Sequence, residues 1–340
     1  VSFRMAFDAG GRLAGFRILP GPPPAEWSPA PYADPSKARE RDVTIGNGEW
    51  ALPGTLSLPA SGKGPFPGLV LVHGSGPHDR DETVGGTKVF RDLAGGLAAR
   101  GVAVLRYEKR TKAHGARMKG LDVTLKEEVL DDAVGALSLL RSQPEVDPRR
   151  AGLLGHSLGG MLAPRIAALD GKTAGLVVMA GNTRPPEELV VEQADHLVSV
   201  GAATAEQAAA VKADVARLRA LEPGAAEAKT ATPLGAPASY WFGLRGIDPA
   251  AEARKLAPPV LVLQGGRDYQ VTSKDLEGWR AALGTDPRAT IRLFPALNHL
   301  FVAGEGPSTP AEYERPGHVA PEVVDAVASW MLALPPRKAP

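Results

Sequence analysis

A serine with a glycine two residues to either side, Gly155-His156-Ser157-Leu158-Gly159, is the first place in this sequence where chemistry could reside. A serine hydroxyl is a poor nucleophile at neutral pH, so a base must take its proton and a third group must hold that base. Glycines at this spacing let the chain turn sharply from a strand into a helix, with the hydroxyl clear of the backbone. An ordinary glycine-rich strand-to-helix turn would carry the same letters, so the context decides. The apolar run 151–154 precedes the motif, a helical segment follows, and Gly160 adds room. Pro164 falls inside that helical segment and should bend it or leave one carbonyl unpaired.

The order expected for such a turn is Ser, then Asp, then His, each in a loop after a strand. The run 260–264 leads into Gly265-Gly266-Arg267-Asp268, and the run 290–294 is followed by Asn298-His299. Ser157, Asp268 and His299 are therefore assigned as nucleophile, orienting acid and base. Asp275 and Asp248 begin helices and read as capping or solvated groups. Of the seven histidines, His318 before the last helix is the rival base. His73 and His156 read as locally bonded, and His78, His114 and His196 as surface or cap residues. A developing oxyanion needs preorganised N–H donors, one just after the nucleophile and one from the loop after an earlier strand. Residues 71–76 end a buried run in such a loop. The donors are assigned to Leu158 and Ser75, with Gly76 as the fallback.

The apolar pattern supplies a frame that could present these groups. Runs 43–49 and 51–58 read as an antiparallel pair, and 68–73, 102–106, 151–156, 175–180, 260–264 and 290–294 as buried strands. Helical periodicity covers 87–100, 124–141, 158–169, 273–283 and 320–333. Strands alternating with helices predict an α/β fold with a mostly parallel sheet wound on both faces. About 75 residues, 182–257, break the rhythm, against an ordinary loop of about 2 to 6. Within them 189–200 reads as a helix, and Val211, Val215, Leu218 and Leu221 form an apolar helical stripe, so an inserted helical cap is expected. Residues 2–19 alternate about Gly10-Gly11 and read as a hairpin, followed by a Pro-rich linker. The expected organisation is 1–35 hairpin and linker, 36–181 with 258–340 as the core, and 182–257 as the cap.

The 39 Lys+Arg against 38 Asp+Glu leave a net charge of +1, without the basic excess that a nucleic acid partner requires. Absence of cysteine removes thiolate nucleophiles and Cys-type zinc sites. No cluster has metal-ligand spacing, so neither a metal nor another cofactor is expected. No run approaches the roughly 18 apolar residues of a membrane span. The chain opens on Val1 rather than Met and shows no signal segment, so a start is expected upstream and the compartment stays open.

These residues together resemble the α/β-hydrolase superfamily over 43–333. His73-Gly74-Ser75-Gly76-Pro77 with Asp79-Arg80-Asp81, then Leu105-Arg106-Tyr107-Glu108-Lys109-Arg110, is similar to bacterial carboxylesterases of the prolyl-oligopeptidase and dienelactone-hydrolase branch. Glu108 departs from that pattern, which has Asp there. The N-terminal stretch resembles the tail of an accessory module found ahead of such domains. Spacing alone gives a serine hydrolase; the resemblance implies hydrolysis of a small-molecule carboxylic ester, with short to medium acyl chains expected under the cap. An acyl thioesterase, acyltransferase or peptidase would use the same residues, and a binding module on an inactive hydrolase fold is the reading from a different class. Lys109, Arg110, Lys112, Arg117 and Lys119 read as a solvated basic loop, with a coenzyme A phosphate contact as the alternative. Tyr240, Trp241 and Phe242 either line the acyl pocket or form the cap's own core.

Overall fold

A computed structural model describes residues 2–7, 13–19, 27–121 and 123–337. Strands β1 (Ser2–Phe7) and β2 (Leu13–Leu19) pair antiparallel, from Ser2 opposite Leu19 to Phe7 opposite Leu13. The expected Gly10-Gly11 turn and residues 20–26 of the linker lie outside the described residues.

The body is one eight-stranded sheet. Its strands are β3 (Ala38–Ile45), β4 (Leu52–Pro59), β5 (Phe66–Val72), β8 (Ala103–Tyr107), β9 (Val146–His156), β10 (Leu176–Met179), β11 (Val260–Gly265) and β12 (Ala289–Phe294). The small ribbon β6 (Thr83–Val84) and β7 (Thr87–Lys88) lies between β5 and the first helix. The order across the sheet is β12-β11-β10-β9-β5-β8-β4-β3, and β4 alone runs against the rest. Burial on both faces follows the two-residue alternation of a strand. Val70 and Val72 of β5 enter the core on one face, while Leu69 and Leu71 enter the core on the other.

Helices cover both faces. α1 (Val89–Ala98) and α12 (Pro321–Ala333) pack on one through Phe90, Leu93, Val324 and Val327. α4 (Asp131–Arg141), α5 (Leu158–Asp170) and α10 (Ser273–Leu283) pack on the other through Leu137, Ile166 and the fully buried Trp279. Two short helices, α2 (Arg110–Ala113) and α3 (Gly115–Met118), follow β8, and a π turn over Lys126–Leu130 leads into α4. Among the described residues, no helix is long and apolar enough to cross a membrane.

The sheet departs from expectation mainly at its edge. β3 begins at Ala38, five residues before the apolar run, because Arg39, Glu40, Arg41 and Asp42 occupy an edge strand where charge is tolerated and discourages further pairing. Within 182–257 lie α6 (Pro186–Ser199), α7 (Ala205–Ala220), α8 (Ala238–Leu244) and α9 (Pro249–Arg254). A reciprocal Thr204–Gln207 capping box starts α7, and Val211, Val215, Leu218 and Leu221 are all buried. α6 and α7 share a small cluster of Ala194, Ala208 and Val211. Leu244, Ala250 and Ala253 of α8 and α9 instead join the main core, so the two halves of this segment are held differently. α11 (Pro310–Tyr313) precedes the last helix.

Candidate active site

The chain runs from β5 to β8 on one side, then from β9 through β12 on the other. The order therefore reverses between β5 and β9, and the loops leaving the carboxyl ends of strands at such a point form a crevice. The loop after β5 is His73-Gly74-Ser75-Gly76, and the residue after β9 is Ser157.

Ser157 has φ 53° and ψ −117°, a left-handed conformation that a side chain adopts only under constraint. The glycines impose it. A Cβ on Gly155 would come within 2.1 Å of the Gly159 carbonyl oxygen, and one on Gly159 within 2.2 Å of the Val72 oxygen. The Ser157 N–H donates to the Met179 carbonyl at 2.9 Å, tying the turn to β10. Leu158 opens α5, where an N–H has no intrahelical acceptor. Pro164 lies within α5, which continues to Asp170.

Asp268 and His299 lie in the loops after the adjacent strands β11 and β12. His299 Nδ1 donates to Asp268 Oδ2 at 2.7 Å, with both side chains buried. Because a carboxylate only accepts, this bond leaves Nε2 as the basic nitrogen. Asp268 is held on all sides. The N–H groups of Gln270 and Val271 donate to Oδ1 at 2.8 and 2.9 Å, and Gln264 Nε2 donates to Oδ2 at 3.2 Å. Asn298 steadies the other loop by accepting from the N–H groups of Leu300 and Val302 at 3.0 and 3.1 Å.

The other candidates are engaged elsewhere. His318 pairs with buried Asp92 at 3.1 Å, joining the start of α12 to α1, and burial pushes the Asp92 carboxyl up to about 6. Asp275, read from sequence as capping or solvated, is fully buried. It accepts from the Thr183 and Arg184 N–H groups and pairs with the Arg184 guanidinium at 2.8 Å, which docks α10 on the segment after β10. Asp248 caps α9 by accepting from the Ala251 N–H at 2.9 Å. His73 donates to the Asp79 carbonyl at 3.0 Å, and burial pulls its imidazole down to about 3.

Sequence reasoning missed the buried charges around the loop after β5. Glu82 Oε1 accepts from the Gly74 N–H at 2.7 Å, and its Oε2 lies 3.0 Å from His156 Nδ1 in an ion pair. His156 Nε2 in turn donates to the His299 carbonyl at 2.9 Å. This connects the loop after β5, the turn at Ser157 and the loop of His299. Burial pushes Glu82 up, but the positive His156 outweighs it and holds the carboxyl at about 2. Burial likewise pulls His156 down, and Glu82 more than offsets it, leaving the imidazole above its ordinary value. Lys109 is also buried, paired with Glu128 at 2.7 Å, and Arg110 pairs with Asp132, so the start of the basic run is not a solvated face. The only signal in sequence was the density of charge in 79–82 and 108–112 beside apolar strands.

A cavity of about 390 Å³ opens beside Gly76, lined by Pro77, Thr111, Gly115, Met118, Lys119, Val123 and Glu128. Tyr240 lies close to Glu128 of this wall, and burial first, then the Glu128 carboxylate, push its phenol up. Trp241 and Phe242 are not among its lining residues. The Trp241 indole donates to the Pro233 carbonyl at 3.0 Å, and Arg245 lies over the Phe242 ring at 4.6 Å.

A sequence profile of the Alpha/beta hydrolase family matches residues 69–319. Esterase EstD of Thermotoga maritima is 40% identical over 332 residues, 98% of this chain and 76% of the relative. Acyl-coenzyme A thioesterase 2, mitochondrial, of Homo sapiens is 36% identical over 151 residues, 43% of this chain and 26% of the relative. Among solved structures, Est1E from Butyrivibrio proteoclasticus superposes with a TM-score of 0.55 at 17% identity, over 86% of this chain and 97% of that one, a likeness of fold.

Proposed function

Because this chain belongs to the alpha/beta hydrolase family, we propose that it is a carboxylesterase in which Ser157, His299 and Asp268 act as one unit. Ester hydrolysis rests on the 40% identity to Esterase EstD over 98% of the chain. The observation that carries the residue assignment is the 2.7 Å Nδ1–Oδ2 bond between His299 and Asp268, on loops next to the strained turn at Ser157.

In this mechanism His299 Nε2 takes the hydroxyl proton as Ser157 Oγ attacks the acyl carbonyl carbon, and Asp268 stabilises the imidazolium. The N–H groups of Leu158 and Ser75 receive the oxyanion, Gly76 being the fallback. The imidazolium gives its proton to the departing alkoxide, which leaves an acyl-enzyme. A water activated by His299 then attacks this ester, releasing the acid and restoring Ser157. The cavity beside Gly76 is assigned to the acyl chain, and 182–257 to a cap whose α6 leans on the acid loop. There Gln193 donates to the Gln270 carbonyl at 3.0 Å, and His196 stacks on Tyr269 at 4.5 Å.

Labelling with a fluorophosphonate followed by peptide mapping tests the assignment: the adduct must fall on Ser157 and abolish p-nitrophenyl butyrate hydrolysis. A labelled serine elsewhere, or full activity in the labelled protein, refutes it. The partial likeness to an acyl-coenzyme A thioesterase supports a second reading, thioester cleavage by the same residues. Rates on matched butyryl oxygen esters and thioesters decide between the two.

A further inference from the structure

Two successive peptides, His73–Gly74 and Gly74–Ser75, are each held by a buried charge. The carbonyl oxygen of the second, that of Gly74, accepts a hydrogen bond from Lys109 Nζ at 2.8 Å. In a trans peptide the carbonyl and the N–H point opposite ways, so a bond to the Gly74 oxygen sets the direction of the Ser75 N–H. The preceding N–H, that of Gly74, is held by Glu82 at 2.7 Å. This loop lies against the nucleophile: a Cβ on Gly74 would come 3.2 Å from Ser157 Cβ.

The ammonium is itself anchored. Lys109 is 2% exposed and Glu128, 2.7 Å away, is 6% exposed. Glu128 sits in the π turn Lys126–Leu130, a rare local geometry found often at functional sites. Burying an ammonium and a carboxylate costs several kcal/mol per ion before they attract, and well-packed apolar side chains of similar volume often serve stability as well or better. Stability alone therefore does not account for the pair, whereas aiming one peptide does.

We propose that Lys109 is a positioning residue for the oxyanion hole, its ammonium fixing and polarising the Gly74–Ser75 peptide so that the Ser75 N–H is already aligned with the developing alkoxide. Withdrawing electron density at the carbonyl strengthens the N–H of the same peptide as a donor, since hydrogen bonds along a chain polarise one another. The inference rests on the reading of Ser157 and Ser75 given above. Removing one oxyanion donor outright costs about 10²- to 10³-fold in kcat. Misaiming it should cost less.

The test uses Lys109→Met, which keeps length and loses charge, and Lys109→Met/Glu128→Gln, which leaves no unpaired buried carboxylate. Active sites are counted with a fluorophosphonate. Both variants should lose about 10- to 100-fold in kcat per titrated site on p-nitrophenyl butyrate with KM within about threefold, a loss confined to the transition state. Affinity for a trifluoromethyl ketone, whose adduct oxygen is an oxyanion, should fall by the same factor. A purely structural role would lower the melting temperature and the number of titrated sites while leaving kcat per site intact. That result, or a loss of kcat with unchanged ketone affinity, overturns the proposal. Should neither variant fold, Glu128→Gln carries the test, because Lys109 remains but loses its anchor: a smaller parallel loss in kcat and ketone affinity supports the proposal, and no change overturns it. If the wild-type protein is not labelled at Ser157, the reading of the site fails. If it is labelled there and the Lys109 variants keep kcat per site, this inference alone fails.

Discussion

At the scale of single residues, backbone strain and hydrogen bonds divide the roles. Ser157 holds φ 53° because Gly155 and Gly159 admit no side chain, so the strain belongs to the turn and not to the hydroxyl. Ser157→Ala should therefore fold normally and lose about 10⁴- to 10⁶-fold in kcat. Ser157→Gly should be equally inactive yet melt no lower than Ser157→Ala, because relief of about 1–3 kcal/mol of strain offsets the entropy of glycine. A variant with even a tenth of wild-type activity sinks the nucleophile assignment. For the base, His299→Ala should match the loss at Ser157. His318→Ala should lower the melting temperature by freeing buried Asp92, with kcat changed only a few-fold. Kinetics on both, compared with their thermal melts, would expose the reverse assignment.

At the scale of elements, what was legible in the sequence and what was not separate cleanly. The strands around the site could be read because their apolar runs are local, and Ser157, Asp268 and His299 stand after strand ends as expected because each follows such a run. Glu82, Lys109 and Glu128 could not, since whether a charge is buried depends on partners 74 and 19 residues away in sequence, His156 and Glu128. Asp275 was misread for the same reason, its partner Arg184 lying on a different element. The Glu82–His156 pair joins three loops, and its pH dependence can be worked out. Glu82 is at about 2 against an ordinary 4.5, so its contribution is present above about pH 4.5 and lost as the pH falls toward 2. His156 is raised above its ordinary 6.5, so its contribution is full below that value and lost as the pH climbs through the raised one. Glu82→Gln breaks the pair at a cost of about 3–5 kcal/mol. Its melting temperature should fall further below wild type at about pH 5.5 than at about pH 9, and equal deficits at both would contradict the pairing. The turn itself has no tolerance: Gly159→Ala drives a methyl into the Val72 and His73 carbonyls, 2.2 and 2.7 Å away. It should lose at least about 10²-fold in activity, the cost of roughly 1 Å of misplacement, while Gly171→Ala at the far end of α5 should lose none.

At the scale of the whole molecule, the reversal of strand order between β5 and β9 creates the crevice, and 182–257 connects β10 to β11, the strand that leads to Asp268. The second half of that segment shares the main core, through Leu244, Ala250 and Ala253, while α6 rests on the loop of Asp268. Held in both halves, this segment, proposed above as a cap, should not swing away as a free domain would. Substrate should then be selected by what fits the cavity of about 390 Å³ beside Gly76, the proposed acyl site. The apolar walls available to an acyl chain are Met118, which is buried, and Val123, which is half-buried. Each methylene that finds an apolar wall is worth about 1–3 kcal/mol in discrimination, and each that does not is worth nothing. p-Nitrophenyl acetate to octanoate should be cleaved well, kcat/KM should fall for palmitate, and casein should be left intact. Val123→Trp should fill the cavity and lower kcat/KM for octanoate at least about tenfold relative to acetate. Trp241→Ala should lower the melting temperature but keep the order of chain lengths, because the indole packs on the core and bonds Pro233 instead of lining the cavity. A chain-length series on the three proteins decides it. Palmitate as the best substrate, an unchanged profile in Val123→Trp, or a shifted optimum in Trp241→Ala would each place the acyl chain somewhere other than beside Gly76.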